Sequence, residues 1–496
     1  MDLLTATISE ISSSIKTKKI SAKEVTQFFL NRKEQIDPQL NSYISMNSDA
    51  LKVAESIDQK IQQGDNLGEL AGIPIAVKDM FCTKGLKTTA GSKILSNFIP
   101  PYDATVISKL KSAGAIVLGK LNQDEFAMGS SNENSFFGVT RNPWDITRVP
   151  GGSSGGSAAA QAARLCVGAL GTDTGGSIRQ PASFCGVVGV KPTYGRISRY
   201  GIIAYASSLD QAGPMANSVE DAAIMLEVMC GHDPKDGTTS NQAVPAFHKN
   251  LNANMKGVKV GILKEYITDG LTGDIQETFQ RGFKALQDAG ADIVDVSVPL
   301  TESAVAVYYL VAASEASSNL ARYDGVKFGY RSSFKNISEL SLDDFYSITR
   351  GEGFGAEVKR RIMLGTYCLS SGYYDAYYNK ACQVRRMMRD QFQQQFKKCD
   401  IILSPVTTAP AFKIGEKISD PLEMYLNDIF TVSTNLAGLP GMSVPFGFSK
   451  STNTEVQLPI GLQIMANHFD EQKMLNVAYF LQQVSGLKGQ VAHVVS

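Results

Sequence analysis

The sequence has few histidines and few cysteines. Its 496 residues include four histidines, the first of which is His232, and seven scattered cysteines. No Cys-x-x-Cys pair occurs, which argues against a zinc site and against a disulfide framework. Free thiols fit a reducing compartment, so we expect a cytoplasmic protein without a bound metal.

The sequence also lacks a surplus of charge and a long apolar run. Its 48 basic residues balance 48 acidic ones, and a chain without a basic tract is not expected to hold nucleic acid unaided. No apolar stretch reaches the length of about 18 residues that a membrane span needs. The opening residues, MDLLTATISEISSS, lack the basic start and apolar centre of a secretory signal. We therefore expect no membrane partner.

Glycine and serine are concentrated between Val149 and Thr193. The clusters GGSSGGS at 151–157 and GGS at 175–177 flank an alanine-rich segment. Glycine lets the backbone approach a ligand closely, and open N–H groups can bind an anion or a developing oxyanion. The serines are then candidate nucleophiles. A flexible linker and a phosphate-binding loop are the alternatives, but no lysine follows the glycines before Lys191, as a nucleotide loop would require.

A nucleophilic serine needs a group that accepts its proton. Because histidine is scarce, Lys78 in the apolar run IPIAVKD (73–79) is a candidate base. A buried lysine loses the stabilisation of its charge and can act as a neutral amine. A distant histidine and an ordinary lysine at the end of a strand remain the alternatives.

Three segments together resemble the amidase signature family of Ser–Ser–Lys hydrolases: IPIAVKD, GGSSGGSAAA (151–160) and GTDTGGSIRQPASFCGVVGVKPT (171–193). The resemblance implies that Ser177 attacks an amide carbonyl and that Ser153 connects Ser177 to Lys78. It also implies an oxyanion hole built from the backbone N–H groups of Thr174, Gly175, Gly176 and Ser177.

Short strand patterns alternate with helix patterns, which predicts an α/β fold. The apolar runs at 73–77, 116–119, 258–263, 291–298 and 400–406 are typical of strands, and 104–113 and 274–289 of helices. Such alternation favours a large mixed β-sheet flanked by helices on both faces. A capping box is predicted at Ser21 and Glu24, and 232–256 is predicted to be an exposed loop.

The resemblance implies a single amidase-signature domain over residues 1–496. Its parts would be a helical N-terminal segment (1–65), a catalytic α/β core (66–300) that contains the signature (149–193), a mainly helical region on the substrate and partner side (301–398) and a return to the sheet (399–496). The adjacent acids Asp124 and Glu125 are expected to point apart and to be structural.

Within the family, the segments 308–309, 313–325, 353–362 and 370–378 resemble the A subunits of the glutamyl-tRNA(Gln) amidotransferases. These subunits hydrolyse glutamine and supply ammonia to a B subunit, which uses ATP and Mg²⁺ to convert Glu-tRNA(Gln) to Gln-tRNA(Gln), or Asp-tRNA(Asn) to Asn-tRNA(Asn). A small C subunit completes a heterotrimer. The chain itself is then expected to carry no cofactor.

Free glutamine presents an α-carboxylate and an α-ammonium group, which a guanidinium and a carboxylate can recognise. By resemblance, Arg361 and Asp428 take these roles, with Arg360 as the neighbouring candidate.

Two other functions stay open from the sequence: a free-standing amidase for another amide, and a non-catalytic scaffold or phosphate-binding module.

Overall fold

The computed structural model describes residues 1–65, 67–267, 270–333, 340–417, 421–450 and 456–492. One mixed sheet of eleven strands runs through this part of the chain. The strands are β1 (Tyr43–Met46), β2 (Pro74–Lys78), β3 (Ile116–Leu121), β4 (Gly168–Asp173), β5 (Val188–Lys191), β6 (Gln211–Ala216), β7 (Lys259–Leu263), β8 (Asp292–Val296), β9 (Ile401–Pro405), β10 (Gly441–Phe448) and β11 (Pro459–Ala466).

Fifteen α-helices accompany the sheet in the same described ranges. They are α1 (Ile8–Lys16), α2 (Ala22–Leu40), α3 (Ala50–Gln63), α4 (Thr105–Ser112), α5 (Gly155–Ala162), α6 (Arg179–Cys185), α7 (Val219–Met229), α8 (Gly273–Asp288), α9 (Ala304–Asn319), α10 (Leu342–Gly353), α11 (Ala356–Leu369), α12 (Lys380–Gln395), α13 (Pro421–Leu426), α14 (Val432–Leu436) and α15 (Glu471–Ser485).

The strand order is β1-β3-β2-β4-β6-β5-β10-β11-β9-β7-β8. Strand β2 pairs in parallel with β3 and with β4, whereas β4 pairs antiparallel with β6. Strands β10 and β11 come late in the chain but enter the sheet between β5 and β9. The first and last thirds of the sequence therefore share one sheet.

Helices cover both faces of this sheet, as predicted. Neighbouring strand residues point to opposite faces, and in β9 Ile401 and Leu403 join one apolar cluster while Ile402 joins another. The first cluster includes apolar side chains of α7 and α15, and the second includes those of α9 and α12. The central strands β2, β3 and β4 are buried along their whole length.

The predicted strands and helices of the core are present within one or two residues of their expected bounds. The capping box is confirmed: the Glu24 N–H donates to Ser21 Oγ at 3.1 Å, and the Ser21 N–H donates to Glu24 Oε2 at 2.8 Å. One expectation is wrong in part. Residues 232–256 form neither helix nor strand, but they are not uniformly exposed.

The loop at 232–256 is anchored by Phe247, whose side chain is fully buried in the main apolar cluster. The Arg196 guanidinium lies 5.8 Å from the centre of its ring. A single aromatic side chain buries enough apolar surface to hold an irregular segment against the core.

In the described ranges, no helix has the combined length and apolarity that crossing a membrane requires.

Candidate active site

Lys78 lies at the carboxyl end of β2, next to the carboxyl end of the parallel strand β4. Its side chain is fully buried. The Lys78 amine donates to three hydroxyls: Ser153 Oγ at 2.8 Å, Ser154 Oγ at 2.9 Å and Thr172 Oγ1 at 2.8 Å. The lysine proposed as base and the serine proposed to connect it to the nucleophile are therefore in direct contact.

Burial lowers the pKa of Lys78 to about 7, against the opposing effect of Asp124, Asp173 and Asp210. Its hydrogen-bonding partners are hydroxyls and one backbone carbonyl, that of Thr172 at 3.4 Å. None of them carries a charge that would hold the ammonium form. A large part of the amine is therefore neutral near pH 7 and can accept a proton.

The turn after β4 is held by a buried ion pair. Arg179 Nε lies 3.0 Å from Asp173 Oδ2, and both side chains are inaccessible to solvent. Burial alone would raise the pKa of Asp173, but the charge and hydrogen bonding of Arg179, together with Lys191 and Asn435, lower this pKa to about 2. Asp173 also accepts from the N–H groups of Gly176 at 2.8 Å and Ile178 at 3.2 Å. These bonds enclose Ser177 in a fixed turn.

Ser177 is the more accessible of the two signature serines, since Ser153 is fully buried and Ser177 is half-buried. The Ser154 N–H donates to the Ser177 carbonyl at 3.1 Å. This bond ties the turn that carries Ser177 to the start of α5. The Gly152–Ser153 peptide bond is cis.

The four proposed oxyanion donors do not all face the same way. The Gly176 N–H is directed at Asp173 Oδ1. Those of Thr174, Gly175 and Ser177 have no acceptor among the described residues. The Thr174 hydroxyl donates to Asp210 Oδ1 at 2.7 Å, which fixes the start of the turn. Three N–H groups are thus left to bind an oxyanion.

Two positions in this turn require glycine. A Cβ on Gly175 would lie 2.7 Å from Tyr308 Oη, and one on Gly176 would overlap Thr431 Oγ1. Gly176 also has a φ of 142°, which other residues rarely adopt. The Thr431 hydroxyl donates to the Gly175 carbonyl at 2.6 Å. The segment that carries Asp428 therefore packs directly on the proposed oxyanion turn.

Arg361 lies on α11 and is nearly inaccessible to solvent, at 2% exposure. Its Nε donates to Glu357 Oε1 at 2.8 Å and its Nη1 to Tyr205 Oη at 2.7 Å, while Nη2 has no partner in the described part of the chain. The guanidinium lies 5.1 Å from the Tyr309 ring and 5.4 Å from the Tyr425 ring. One buried donor is thus left over for a ligand.

Arg361 lines a cavity of about 330 Å³, together with Glu357, Tyr425 and the segment 129–131. Arg360 lines the same cavity, but its side chain is half exposed and pairs with Glu357. Of the two neighbouring arginines, Arg361 is the one that is desolvated and incompletely paired. A charge-assisted hydrogen bond to a carboxylate is stronger at such a position.

Asp428 is buried behind this cavity. The Ser130 hydroxyl, which lines the cavity, donates to Asp428 Oδ2 at 2.7 Å. Burial raises the pKa of Asp428 to about 7, with the Ser130 hydrogen bond and the Arg361 charge opposing this. A cationic group bound nearby would favour the carboxylate form. Asp428 and Arg361 are therefore brought to one region, with Ser130 between Asp428 and the open space.

Asp124 and Glu125 point apart. Glu125 accepts from the Gly355 N–H at 2.8 Å. Asp124 is fully buried, and neither of its carboxylate oxygens has a well-aligned hydrogen-bond partner among the described residues. A Cβ on Gly129 would overlap Asp124 Oδ1, and one on Gly152 would overlap Oδ2. Asp124 therefore packs between the cavity wall and the start of the serine cluster.

The structure adds residues that the sequence patterns did not single out. Ser154 and Thr172 share the Lys78 amine with Ser153, and Tyr205 and Glu357 hold Arg361. Ser154 and Thr172 lie inside the signature segment 149–193, and this position could have marked them as candidate site residues. Nothing in the sequence indicated Tyr205, which lies 156 positions from Arg361.

Histidine and cysteine do not enter this site in the described structure. His232, His248 and His468 hydrogen-bond to Thr239, Glu227 and the Ala437 carbonyl respectively, and His493 lies outside the described residues. Cys166 and Cys185, the two cysteines of the signature, are fully buried. Burial raises the pKa of the Cys166 thiol to about 12 and that of the Cys185 thiol well above its usual value. Both stay protonated packing residues.

A family model described as Amidase matches residues 24–475. The chain belongs to the amidase family. This assignment agrees with the contact between Lys78 and Ser153 and with the fixed turn around Ser177.

Similar amidase-family proteins narrow the assignment. The chain is 66% identical over 495 residues to the A subunit of the glutamyl-tRNA(Gln) amidotransferase of Bdellovibrio bacteriovorus, with all of each chain covered. It is 55% identical to the corresponding A subunit of Coxiella burnetii over 96% of this chain and 97% of that protein. These identities place it with the A subunits inside the amidase family.

Solved amidase-family structures have the same fold. The A subunit of the glutamyl-tRNA(Gln) amidotransferase from Thermotoga maritima superposes with a TM-score of 0.81 at 41% identity, over 100% of this chain and 99% of that one. The native peptide amidase of Stenotrophomonas maltophilia also gives a TM-score of 0.81, at 29% identity over 97% of each chain. One fold is thus shared by an amidotransferase subunit and a peptide amidase.

Proposed function

We propose that the chain is the glutaminase subunit of a tRNA-dependent amidotransferase. The observation that carries the proposal is the buried Lys78 amine, 2.8 Å from Ser153 Oγ and without a charged hydrogen-bonding partner. A neutral amine in contact with a serine is the base that a Ser–Ser–Lys hydrolase needs. Free glutamine is the substrate for which Arg361 and Asp428 are suited.

In the proposed reaction, Ser177 Oγ attacks the side-chain amide carbon of glutamine. Its proton passes to Ser153 as Ser153 gives its own proton to the neutral Lys78 amine. The backbone N–H groups of Thr174, Gly175 and Ser177 stabilise the oxyanion, with an effect of about 3 kcal/mol for a donor of this kind. Gly176 contributes its conformation, since its own N–H is bound to Asp173.

The protonated Lys78 then returns a proton through Ser153 to the leaving nitrogen of the tetrahedral intermediate. The C–N bond breaks, ammonia departs and the glutamyl ester of Ser177 remains. Water enters, gives a proton to the same relay and attacks the ester carbon. Glutamate is released and Ser177 is regenerated. The net reaction is glutamine plus water to glutamate plus ammonia, so no cofactor is needed in this chain.

Substrate recognition is assigned to the cavity beside this relay. The unpartnered Nη2 of Arg361 offers a buried donor to the α-carboxylate. Asp428, with Ser130, offers an acceptor for the α-ammonium group. The half-exposed Arg360 remains the second candidate for the carboxylate, because it lines the same cavity.

The ammonia is proposed to serve a B subunit that uses ATP and Mg²⁺ to aminate Glu-tRNA(Gln), or Asp-tRNA(Asn), with a small C subunit completing a cytoplasmic heterotrimer. This step rests on the names of the relatives, which are amidotransferase A subunits at 66% and 55% identity. The balance of 48 basic and 48 acidic residues is consistent with tRNA being bound mainly by a partner.

The experiment is to measure ammonia release from glutamine by the purified chain, alone and with the B and C subunits, ATP and Glu-tRNA(Gln). We expect weak release by the chain alone, a marked rise in the complex and formation of Gln-tRNA(Gln). Rapid hydrolysis of simple amides by the chain alone, unchanged by the other subunits, would instead identify a free-standing amidase like the peptide amidase neighbour.

A further inference from the structure

A second cavity, of about 450 Å³, lies outside the proposed glutamine site. Its walls come from α12, from the turns at 193–194 and 436–438, and from His468 and Phe469 before α15. None of these residues lines the Arg361 cavity or contacts the Lys78 amine. The volume falls in the range of about 300 to 1,000 Å³ that small-ligand sites occupy.

The lining of this cavity is basic. Arg385, Arg386 and Arg389 contribute to the walls, and no aspartate or glutamate among the described residues does. His468 also lines the cavity, but burial lowers its pKa and favours the neutral ring. Arg385 and Arg389 are four residues apart on α12, a spacing at which like charges repel by about 0.2–0.5 kcal/mol. The fold therefore keeps an unfavourable concentration of positive charge around an open space.

Protein groups compensate this charge only in part. Arg385 is tied down, since its Nε donates to the Leu436 carbonyl at 2.9 Å and its Nη2 to the Ser208 carbonyl at 2.8 Å. Arg389 Nε has no hydrogen-bond acceptor in the described ranges, and Asp390 Oδ1 lies 3.8 Å away. Arg389 thus keeps a buried N–H without a described hydrogen-bond acceptor, although its charge is paired with Asp390, and Arg386 is exposed to solvent.

Two aromatic rings complete the cavity, and each already lies near an arginine: the Arg199 guanidinium is 5.5 Å from the Tyr194 ring and the Arg196 guanidinium 5.2 Å from the Phe469 ring. The Tyr194 hydroxyl donates to the Ser207 carbonyl at 2.8 Å. The Phe469 N–H donates to Thr193 Oγ1 at 2.9 Å, and Phe469 has a φ of 65°, a left-handed conformation that is uncommon for a residue with a side chain. Such a conformation persists where the surroundings enforce it, commonly at a ligand site.

We propose that this cavity binds a nucleotide, with its phosphate group on Arg386 and Arg389 and its base against Tyr194 and Phe469. A guanidinium group can donate two parallel hydrogen bonds to the oxygens of a phosphate, and an aromatic ring can stack on any of the bases. The phosphate can belong to a free nucleotide or to an exposed nucleotide of an RNA strand, since both present the same groups.

The test uses the full-length chain without partner subunits, so that no nucleotide site of another protein is present. Binding of AMP, inorganic phosphate and adenosine is measured by calorimetry at fixed ionic strength, and binding of a short RNA oligonucleotide by fluorescence anisotropy. We expect Arg386→Gln and Arg389→Gln each to raise the Kd of the phosphate-bearing ligands by about tenfold. The matched control is Arg281→Gln, on the exposed face of α8, which should leave binding unchanged.

Phe469→Gly separates the two halves of the proposed site. This substitution removes the aromatic ring, and glycine readily adopts the left-handed backbone conformation. It should therefore weaken the binding of AMP and leave the binding of inorganic phosphate unchanged. Thermal unfolding of each variant checks the fold, and Arg386 is exposed enough that its replacement should not disturb packing. Ser177→Ala should bind AMP as the unmodified chain does, so this site can be tested whether or not the chain hydrolyses glutamine.

If AMP binds and its binding depends on Arg386 and Arg389, the proposal is supported and the ligand is a free nucleotide. The same dependence for RNA, without AMP binding, supports it with an RNA phosphate as ligand. The proposal is overturned if none of the probes binds, or if Arg281→Gln weakens binding as much as the two cavity variants do.

Discussion

The titration of Lys78 gives the most direct prediction about the proposed mechanism. Burial lowers its pKa from 10.5 to about 7. A difference of about 3.5 pKa units corresponds to about 5 kcal/mol between the two protonation states. At pH 7 about half of the amine is then neutral, compared with about one part in 3,000 for an unperturbed lysine. We therefore expect glutamine hydrolysis to depend on pH in the neutral range.

The assay is steady-state ammonia release from glutamine between about pH 5.5 and 9, on the chain assembled with its proposed subunits. The base must be neutral, so kcat/KM should be constant above about pH 7 and should fall about tenfold per pH unit below it. A profile that is flat down to about pH 5.5, or one that is still rising tenfold per pH unit at about pH 9, would refute the role of Lys78 as a neutral base.

The pKa values of Asp124 and Asp428 are also raised to about 7 by burial, so the acid limb alone does not identify the group that titrates. Asp124→Asn separates Lys78 from Asp124, and Asp428→Asn tests Asp428 in the same way. The Asp124 charge raises the pKa of Lys78, so its removal should move the limb to lower pH and keep the plateau. Loss of the limb in this variant would assign it to Asp124 itself.

Glu125→Gln is the matched control for Asp124→Asn. Glu125 is the adjacent residue, and burial likewise raises the pKa of its carboxyl to about 7. It is not among the charges that act on Lys78. The limb should therefore stay in place in Glu125→Gln. An equal shift in both variants would show that the limb responds to a general disturbance of this segment.

Four further outcomes are expected. Ser177→Ala should lose glutamine hydrolysis by about 10⁴-fold or more with unchanged thermal unfolding, and residual turnover near the original rate would exclude Ser177 as the nucleophile. Arg361→Gln and Asp428→Asn should each raise KM for glutamine by about tenfold or more in steady-state kinetics, and an unchanged KM would remove that residue from substrate binding. Gly213→Ala makes a Cβ overlap the Val190 carbonyl oxygen and should lower the free energy of unfolding in urea by about 3 kcal/mol. Gly351→Ala, in open space on α10, should raise it by about 0.5–1 kcal/mol.

The elements that the sequence predicted well are those whose signal is local. The run 73–79 is apolar because β2 lies between two parallel neighbours and is buried on both faces. The same arrangement buries Lys78 at the end of the strand. The capping box at Ser21 and Glu24 was predictable because its hydrogen bonds join residues three positions apart.

The cavity beside Arg361 was not predictable in the same way, because its contacts join distant parts of the chain. The Ser130–Asp428 bond spans 298 positions, and the Tyr205–Arg361 bond spans 156. The family resemblance supplied Arg361 and Asp428, but no pattern in the sequence indicated Ser130 or Tyr205. The burial of Phe247 was missed for the same reason, since the surrounding loop is polar and only tertiary packing reveals its anchor.

Two buried lysines at the same edge of the sheet illustrate what makes Lys78 suitable as a base. Lys120, near the end of the neighbouring strand β3, is equally buried but lies 3.5 Å from the Asp79 carboxylate, a direct ion-pair partner. Lys78 instead contacts hydroxyls of Ser153, Ser154 and Thr172, while its nearest acids act on it only through space. A hydroxyl can either accept from the amine or donate to it, whereas a carboxylate only accepts. The hydroxyl shell therefore accommodates both protonation states of Lys78, which is the property that a proton relay between Ser177 and Lys78 demands.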